Sequence, residues 1–273
     1  MHTITFCSFK GGTSKTSSAL NLGSCLAKLH KKKVLLVDFD PQADLSIGLG
    51  VGPDSETTIV DVLQDEKTIN EVIVNTCIPG LFLIPANAYL EGIERTLPLA
   101  GNPYSMEKLR NVLKVVEGEY DFCFIDPPPH LGWLTQSAFF ASQYNLVCAI
   151  PEIFSVLALR RLKDFQNSIR KHHMNDVLGV LLSCWDDRGA VNQTFLDEID
   201  SSFPGKTLES KIRRDIAVSR AAMQGKPVID TDPNSRAALD YQSLTSELLG
   251  RFGLSAPSAP DKKFKKQKIA TEI

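Results

Sequence analysis

The sequence predicts an α/β fold: a twisted, mostly parallel β-sheet covered by helices on both faces, which makes three layers. Short apolar runs of strand length alternate with amphipathic helical patterns along the chain. These runs are apolar on both faces, as in strands that are buried between two layers of helices. A chain of 273 residues with 43% hydrophobic content can also bury one large core.

The first predicted elements are a strand, a loop, a helix and a second strand. Residues 3–7 form a short β-rich run, and the Gly/Ser/Thr-rich loop "CSFKGGTSKTSS" follows it. The helical pattern after the loop has one apolar face, which contains Ala19, Leu22, Leu26 and Leu29. Residues 34–37 then form a near-continuous apolar strand that ends in acids.

Four further strand candidates follow at residues 81–84, 122–125, 146–150 and 177–182. Helical patterns separate the later strands, and one of them begins after Ser155 as a candidate N-cap. Its apolar face contains Leu159, Leu162, Phe165 and Ile169. We expect residues 1–254 to form a single domain, with two smaller domains as the alternative. Residues 255–273, rich first in Pro and Ser and then in Lys, are expected to be a disordered tail.

Composition and charge exclude several classes of protein. Because the formal net charge is -2, any contact with nucleic acid must come from a local basic patch. The six cysteines are scattered without a C-x-x-C pair, which indicates buried, reduced thiols of a cytoplasmic protein rather than disulfides or a metal site. The N-terminus does not resemble a signal peptide and no run of about 18 apolar residues occurs, so neither secretion nor membrane spanning is expected.

Polar groups from separate segments are predicted to meet at one edge of the sheet. The loop that contains Lys10, the acids Asp38 and Asp40, and Asp126 each follow directly after a predicted strand. Ligands of such sheets bind beyond the carboxyl ends of the strands, so this edge is the predicted binding site.

The loop after the first strand has most parts of a phosphate cradle. The Gly11–Gly12 pair leaves the backbone free to bend, Lys15 supplies positive charge and Thr16 supplies a hydroxyl for magnesium. A helix that starts near Lys15 adds its dipole. The general pattern G-x-x-x-x-G-K-[ST] asks for glycines where Phe9 and Ser14 stand. The alternative interpretation is a solvated Gly/Ser turn.

Three acids complete the candidate site. Asp40 is expected near the phosphates, where a carboxylate orients an attacking water or holds a magnesium-bound water. Asp38 is expected to have a structural or metal-side role. Asp126 follows the apolar run "FCFI" and stands where an acid supports magnesium in P-loop ATPases. The alternatives are that Asp38 and Asp40 only cap a strand end and that Asp126 is a chance acid before a proline turn.

Four segments in the same order resemble the ParA/Soj/MinD group of deviant Walker-A ATPases, whose loop pattern is K-G-G-x-x-K-[ST]. Residues 10–16, "KGGTSKT", match that pattern. The segment "VLLVDFDPQADLSIGLG" is similar to the family's Walker A′ segment, and "CFIDPPPHLGWLT" is similar to its Walker B segment and switch. The segment "GKPVIDTDPNSRAALDYQSL" resembles the ParA/Soj branch. The resemblance covers residues 1 to about 250.

The resemblance implies a P-loop NTPase fold and an Mg-ATP-dependent ATPase that forms an ATP-sandwich homodimer. By position, Lys15 would bind the β- and γ-phosphates, Lys10 would reach across the dimer to neutralise transition-state charge, and Asp40 would orient the attacking water. These three are the predicted catalytic residues. The predicted magnesium residues, direct or through water, are Thr16, Asp40 and Asp126. The predicted ATP-binding residues are Lys10, Gly11, Gly12, Thr13, Ser14, Lys15, Thr16, Ser17 and Arg214.

The resemblance further implies a cytoplasmic, nucleoid-associated partitioning protein. The ATP dimer would bind double-stranded DNA non-specifically, and a ParB-like partner would stimulate hydrolysis and release the dimer, so that a plasmid or chromosome is segregated. Departures from the family pattern support a second hypothesis, a nucleotide-switched regulator or scaffold that hydrolyses ATP weakly or not at all. Ser14 replaces the usual glycine, where a Cβ crowds the phosphates or restricts the backbone. Pro127 and His130 stand in the switch where small residues and serine are more usual.

A basic cluster in "KTLESKIRRDIAVSRAAMQGK" is the predicted DNA-binding surface. Such a cluster binds phosphates without reading bases. Arg188 matches one family position for a DNA-binding arginine, whereas the second such position holds Ala217. The predicted DNA-binding residues are Arg188, Lys211, Arg213, Arg214 and Arg220. The alternative is a solvated helical face together with nucleotide contacts.

The lysines of the tail are expected to add electrostatic contact with DNA or anionic lipid. A MinD-like membrane association requires an amphipathic helix with a substantial apolar face. Only Phe264 and Ile269 are bulky and apolar among those lysines. No stable membrane association is therefore expected.

Overall fold

The computed structural model describes residues 1–8, 10–52, 54–96, 105–152, 155–188 and 192–254, with only the backbone described at 155 and 156. These residues contain a sheet with the strand order β3-β4-β2-β5-β1-β6-β7-β8. The strands are β1 (His2–Cys7), β2 (Val34–Asp38), β3 (Val74–Asn75), β4 (Leu81–Ile84), β5 (Phe122–Asp126), β6 (Tyr144–Ala149), β7 (Asp176–Trp185) and β8 (Thr207–Arg213). Only the β3–β4 pair is antiparallel. The predicted mostly parallel sheet is confirmed.

Helices cover both faces of the sheet, which confirms the predicted three layers. They are α1 (Lys15–His30), α2 (Asp44–Gly48), α3 (Ile59–Leu63), α4 (Ile69–Val72), α5 (Leu90–Thr96), α6 (Lys108–Lys114), α7 (Trp133–Ala141), α8 (Ser155–Arg170), α9 (Asn192–Ser202), α10 (Ile216–Met223), α11 (Val228–Thr231) and α12 (Arg236–Arg251). A short 3₁₀ turn, Ser105–Glu107, precedes α6.

The core is divided by the sheet because successive side chains of a strand point to opposite faces. Leu36 of β2 packs in the cluster that contains residues of α1 and α12. Its neighbours Leu35 and Val37 pack in the cluster on the other face, with residues of α3, α6 and α7. A third cluster lies under α8 and α9. Strands that are buried on both sides therefore produce the near-continuous apolar runs in the sequence.

The structure adds two strands that the sequence patterns did not reveal, β3 and β8. Strand β3 has only two residues. Strand β8 forms one edge of the sheet and has a burial pattern that is broken by charged residues. A strand with a neighbour on one side only has less apolar surface to cover, so its sequence "TLESKIR" lacks the usual signal.

Two details of the predicted core differ in the structure. Leu29 is 37% exposed, because it lies in the last turn of α1, next to the left-handed cap residue Lys31. All six cysteines are free, and four are buried as predicted, but Cys77 is exposed and Cys184 is only partly buried. The predicted tail, residues 255–273, lies outside the described residues. In the part of the chain that the structure describes, no helix is long and apolar enough to cross a membrane.

Candidate functional site

The candidate phosphate loop lies between β1 and α1, at the carboxyl edge of the sheet. Strand β1 is flanked by β5 and β6, so the loop is at the centre of that edge. Ser8 fixes the start of the loop, since its Oγ donates to the Lys10 carbonyl at 3.1 Å and accepts from the Lys10 amide at 3.2 Å. A Cβ built on Gly11 or Gly12 would meet no atom within 4 Å. Phe9 lies outside the described residues.

Ser14 is the strained residue of this loop. Its φ of 65° and ψ of 26° place it in the left-handed region, which glycine adopts easily and other residues avoid at a cost of about 1–2 kcal/mol. The Ser14 Oγ lies 3.8 Å from the Cys184 Sγ of β7. Cys184 has a φ of 52°, at a shift of the β7–β8 register. The sequence predicted that the Ser14 side chain either crowds the phosphates or restricts the backbone. The structure shows the restricted backbone.

Glycine at this position is expected to relieve that strain. We expect Ser14→Gly to raise the free energy of unfolding by about 0.5–1 kcal/mol, because the left-handed strain exceeds the extra entropy that glycine gives the unfolded chain. Ser14→Ala is the matched control, since alanine loses the hydroxyl but keeps the strain. Urea denaturation of the three proteins measures the difference. Equal destabilisation by Gly and Ala would instead show that the hydroxyl contact with Cys184 determines stability.

Lys15 is the first residue of α1 and is buried, with 8% of its surface exposed. Burial raises the pKa values of the Asp40 and Asp126 carboxyls, and the positive charge of Lys15 offsets part of that rise. The cation is thus surrounded by acids on neighbouring segments rather than by solvent. A buried lysine at a helix N-terminus is well suited to bind a phosphate group.

Asp38 and Asp126 are neighbours at the ends of β2 and β5, where they are direct partners in the strand register. Burial raises the pKa of Asp126 to about 6, although the Lys15 charge and a hydrogen bond from the Thr16 side chain lower it. The Asp126 Oδ1 atom is buried and has no hydrogen-bond partner. An unpartnered carboxylate oxygen beside a threonine hydroxyl fits a hydrated magnesium ion, which prefers oxygen ligands and keeps several waters.

Asp38 is fully buried and is held by Ser46. Burial raises the Asp38 pKa to about 8, while hydrogen bonds from Ser46 lower it. The Ser46 amide and hydroxyl donate to Asp38 Oδ2 at 2.8 and 2.6 Å, and Ser46 Oγ also accepts from the Ala86 amide at 3.1 Å. Ser46 was not predicted as a site residue, since a serine in the first turns after an acid-rich strand carries no distinctive signal.

Asp40 is half-buried at the start of the β2–α2 loop. Burial raises its pKa, whereas a hydrogen bond from the Gln42 amide and the charges of Lys15 and His130 lower it. The Asp40 amide donates to Asp38 Oδ1 at 3.3 Å. The two acids thus differ in environment. Asp38 is enclosed by donors, whereas Asp40 stays accessible beside Lys15.

Lys10 forms an ion pair with Glu152 of the same chain, in the loop after β6. Both side chains are partly exposed. Glu152 was not identified from the sequence, because its nearness to Lys10 comes from the pairing of β1 with β6. A lysine that acts on a second subunit would have to leave this carboxylate.

The described part of the chain contains no group of three or more His, Cys, Asp or Glu that could hold a metal ion by itself. A magnesium ion that binds with a nucleotide needs only one or two protein oxygens, because water and phosphate oxygens complete its shell. Thr16 and Asp126 are the oxygen donors that would hold such an ion, and the charge of Asp40 is near enough to act on Asp126.

The predicted basic cluster is divided between two elements and their connection. Lys211 lies in β8 with its ammonium 4.2 Å from the centre of the Trp185 ring. Arg213, also in β8, donates to both carboxylate oxygens of Asp240 and is thereby held. Arg214 and Arg220 are exposed, at the end of β8 and on α10. The exposed Arg220 on α10 is compatible both with DNA contact and with the alternative of a solvated helical face together with nucleotide contacts.

Arg188 lies after β7, and its side chain is 91% exposed. Its guanidinium pairs with Asp186, two residues earlier. An exposed pair of this kind contributes little to stability, so the arginine is available to a phosphate group. Arg188 and the α10 residues both follow strands at the same edge as the phosphate loop.

Comparison with known proteins gives concordant results. Residues 1–180 match a family model described as an AAA domain. A ParA family protein of Chlamydia muridarum is 50% identical over 249 residues, which cover 91% of this chain and 98% of that protein. The chromosome partitioning protein ParA of Caulobacter vibrioides is 34% identical, over 89% of this chain and 91% of that protein. The structure of the septum site-determining protein MinD of Pyrococcus horikoshii with Mg-ADP has a TM-score of 0.75 and 25% identity, and the match covers 90% of this chain and 95% of that one.

Proposed function

This chain belongs to the ParA family, and from this premise we propose that it is a partitioning ATPase that hydrolyses ATP with magnesium. One observation supports the proposal above all. Lys15, Thr16 and the unpartnered Oδ1 of Asp126 lie together at the end of the central strands, beside an open glycine loop. This arrangement brings together the cation, the hydroxyl and the carboxylate that magnesium-dependent phosphoryl transfer uses.

The residues of the loop have separate proposed roles. Backbone amides of residues 11–17 cradle the phosphates at the N-terminus of α1, and Lys15 binds the β- and γ-phosphates. Thr16 and Asp126 hold magnesium, which when bound neutralises phosphate charge. Asp40 orients the attacking water. Arg214, exposed at the end of β8, is proposed to contact the nucleotide.

The proposed active species is a homodimer with ATP between two subunits. Lys10 of each subunit leaves Glu152 and reaches the phosphates of the partner, where its charge stabilises the transition state. The proposal also includes a ParB-like partner that stimulates hydrolysis, and a cytoplasmic location on the nucleoid. These features rest on membership of the family and on the position of Lys10 at the loop.

Phosphate release tests the proposed activity. We expect the wild-type protein with ATP and Mg²⁺ to release phosphate, and the rate to rise when duplex DNA and the cognate partner are added. Lys15→Ala is the control, because loss of the buried cation removes the main charge that binds the terminal phosphates. Chelation of Mg²⁺ with EDTA should reduce the rate to that of this control. A wild-type rate equal to the Lys15→Ala rate under all conditions would reject the ATPase proposal.

Ser14 supports a second candidate function, a nucleotide-switched regulator that holds ATP without appreciable turnover. The left-handed serine makes the loop stiffer than one with glycine at this position. In that case ATP would bind and change the oligomeric state, while phosphate release would stay at the control rate. Equilibrium binding of a fluorescent ATP analogue, measured beside phosphate release, separates the two functions.

We propose that the dimer binds DNA without sequence preference through the exposed arginines near the phosphate loop. Arg188, Arg214 and Arg220 are exposed and follow strands at the same edge of the sheet. Arg213 has another task, because its guanidinium neutralises Asp240, a side chain that is only 11% exposed. The phosphate contacts should therefore come mainly from the first three residues.

Substitution of exposed arginines is expected to weaken DNA binding. Arg188→Ala and Arg220→Ala together should reduce affinity for arbitrary duplex by about tenfold and reduce the slope of log K against log[salt] by about 2, one unit for each lost phosphate contact. Fluorescence anisotropy in ATP at several salt concentrations measures both quantities. Lys171→Ala is the matched control, since this exposed cation lies at the opposite end of β7. Equal binding by all three proteins would assign DNA contact to the lysine-rich tail instead.

A further inference from the structure

The loop after β5 is held by a carboxylate from another helix. Glu94 of α5 accepts a hydrogen bond from the Leu134 amide at 3.3 Å. Its two carboxylate oxygens also lie 3.0 and 3.2 Å from Nε2 of His130. One side chain thus contacts both the middle of the loop and the first turn of α7.

The burial of Glu94 distinguishes it from an ordinary surface acid. Its side chain is 17% exposed, whereas that of Glu91, one turn earlier on the same helix, is 62% exposed. Gly132, the N-cap residue of α7, provides no side-chain hydrogen bond. Glu94, which lies on α5, therefore supplies the negative charge and the hydrogen-bond acceptor that the N-terminus of α7 needs.

Gly132 provides independent support for a close fit around this carboxylate. A Cβ at position 132 would lie 1.8 Å from Glu94 Oε1 and 2.8 Å from His130 Nε2. The φ of Gly132 is -88°, which any residue can adopt. A side chain at position 132 would therefore have to displace the ends of the Glu94 and His130 side chains, although the backbone conformation would accept it.

The other side of the loop is also fixed. Thr135 Oγ1 donates to the carbonyls of His130 and Pro128, at 2.6 and 3.1 Å. The loop starts directly after Asp126, and the charge of His130 is close enough to act on the carboxyl of Asp40. A shift of His130 would therefore change the surroundings of Asp40, and it would also move the loop that begins at Asp126.

We infer that Glu94 is a positioning residue for ATP hydrolysis, which holds residues 127–132 and His130 in place beside Asp40 and Asp126. The inference rests on the proposed ATPase function. Glu94 acts through His130 and the N-terminus of α7 and does not itself reach the phosphate loop in this arrangement. An error of about 1 Å in the placement of reacting groups can cost about 10²-fold in rate, so a positioning carboxylate has a measurable effect.

The first test separates positioning from binding. Glu94→Ala should lower kcat at least about tenfold and change KM for ATP less than about twofold, because the phosphate loop is untouched. Glu94→Gln keeps an amide oxygen for Leu134 and should recover most of the rate. Glu91→Ala removes the same charge from an exposed position of the same helix and should behave as wild type. A kcat for Glu94→Ala equal to that of Glu91→Ala would overturn the inference.

The second test is a double-mutant cycle with Gly132. Gly132→Ala should lower kcat as Glu94→Ala does, since the new methyl group displaces the carboxylate. In the Glu94→Ala background the same methyl group meets no carboxylate and only the end of the His130 ring, at 2.8 Å, so the double variant should lose clearly less than the product of the two single losses. Independent, multiplicative losses in the double variant would overturn the inference.

A structural readout distinguishes failure of the inference from failure of the proposed function. Hydrogen exchange of the Leu134 amide, measured by NMR without nucleotide, should be at least about tenfold faster in Glu94→Ala than in Glu91→Ala. Faster exchange together with a wild-type protein that releases no phosphate would reject the ATPase function and, with it, the catalytic part of the inference. Unchanged exchange and unchanged kcat in an active enzyme would overturn the inference alone.

Discussion

Replacing Lys10 by alanine is expected to lower the rate of ATP hydrolysis by about 10³-fold or more, while each subunit still binds ATP. An arginine finger, a cation that enters the site in cis or from a second protein and contacts the transferring phosphate, contributes about 10³–10⁵ to kcat in GTP hydrolysis. Lys15 remains in place in this variant, so the charge that holds ATP in the ground state is kept. The loss should therefore appear in kcat rather than in the dissociation constant for ATP.

Three variants compared side by side identify the role of Lys10. Lys15→Ala should lose ATP binding, whereas Lys10→Ala should bind ATP and not hydrolyse it. Glu152→Gln, which removes the carboxylate that pairs with Lys10 in one chain, should hydrolyse at least as fast as wild type, because the lysine is then free to cross to the partner. Single-turnover phosphate release gives the rate of hydrolysis, and equilibrium binding gives the dissociation constant for ATP. If Lys10→Ala hydrolysed ATP at the wild-type rate, the proposal that Lys10 acts in the partner's site would be rejected.

Replacing Asp40 by alanine is expected to trap the ATP-bound dimer. Its carboxylate feels the charge of Lys15 and is less enclosed than that of Asp38, which supports its proposed role of orienting a water. Loss of a group that directs or deprotonates the nucleophile lowers rates by about 10²–10⁴-fold. ATP would still bind through Lys15 and Thr16, so the dimer that ATP favours would persist.

Light scattering after gel filtration measures the oligomeric state of the Asp40 variant. Asp40→Ala with ATP and Mg²⁺ should elute as a dimer for much longer than wild type and retain unhydrolysed ATP. Asp54→Ala, which removes an exposed carboxylate after α2, should behave as wild type. A monomer of Asp40→Ala in saturating ATP would contradict the ATP-sandwich dimer.

The general architecture could be predicted because it depends on local patterns. Strands β2, β4 and β5 are buried on both faces, so each is an apolar run that needs no tertiary information to be recognised. Strand β8 could not be recognised in the same way, because it is an edge strand with several charged residues. Its place beside β7 is determined by tertiary pairing.

The candidate site was predictable to the extent that strand order places residues together. Lys15, Asp40 and Asp126 each follow a strand, and parallel strands end at one edge. The partners of these residues were not predictable. Glu152 pairs with Lys10 from the loop after β6, more than 100 residues away in sequence, and Ser46 and Glu94 have no pattern of their own.

The sequence by itself determined the fold class, the family and the residues that carry charge at the phosphate loop, because these follow from periodicity and from a short motif. The tertiary structure alone decided how those residues are held. It places Ser14 in a left-handed conformation against Cys184, buries Asp38 under Ser46 and brings Glu94 against Gly132. Such contacts depend on the packing of distant segments, which no local pattern of the chain encodes.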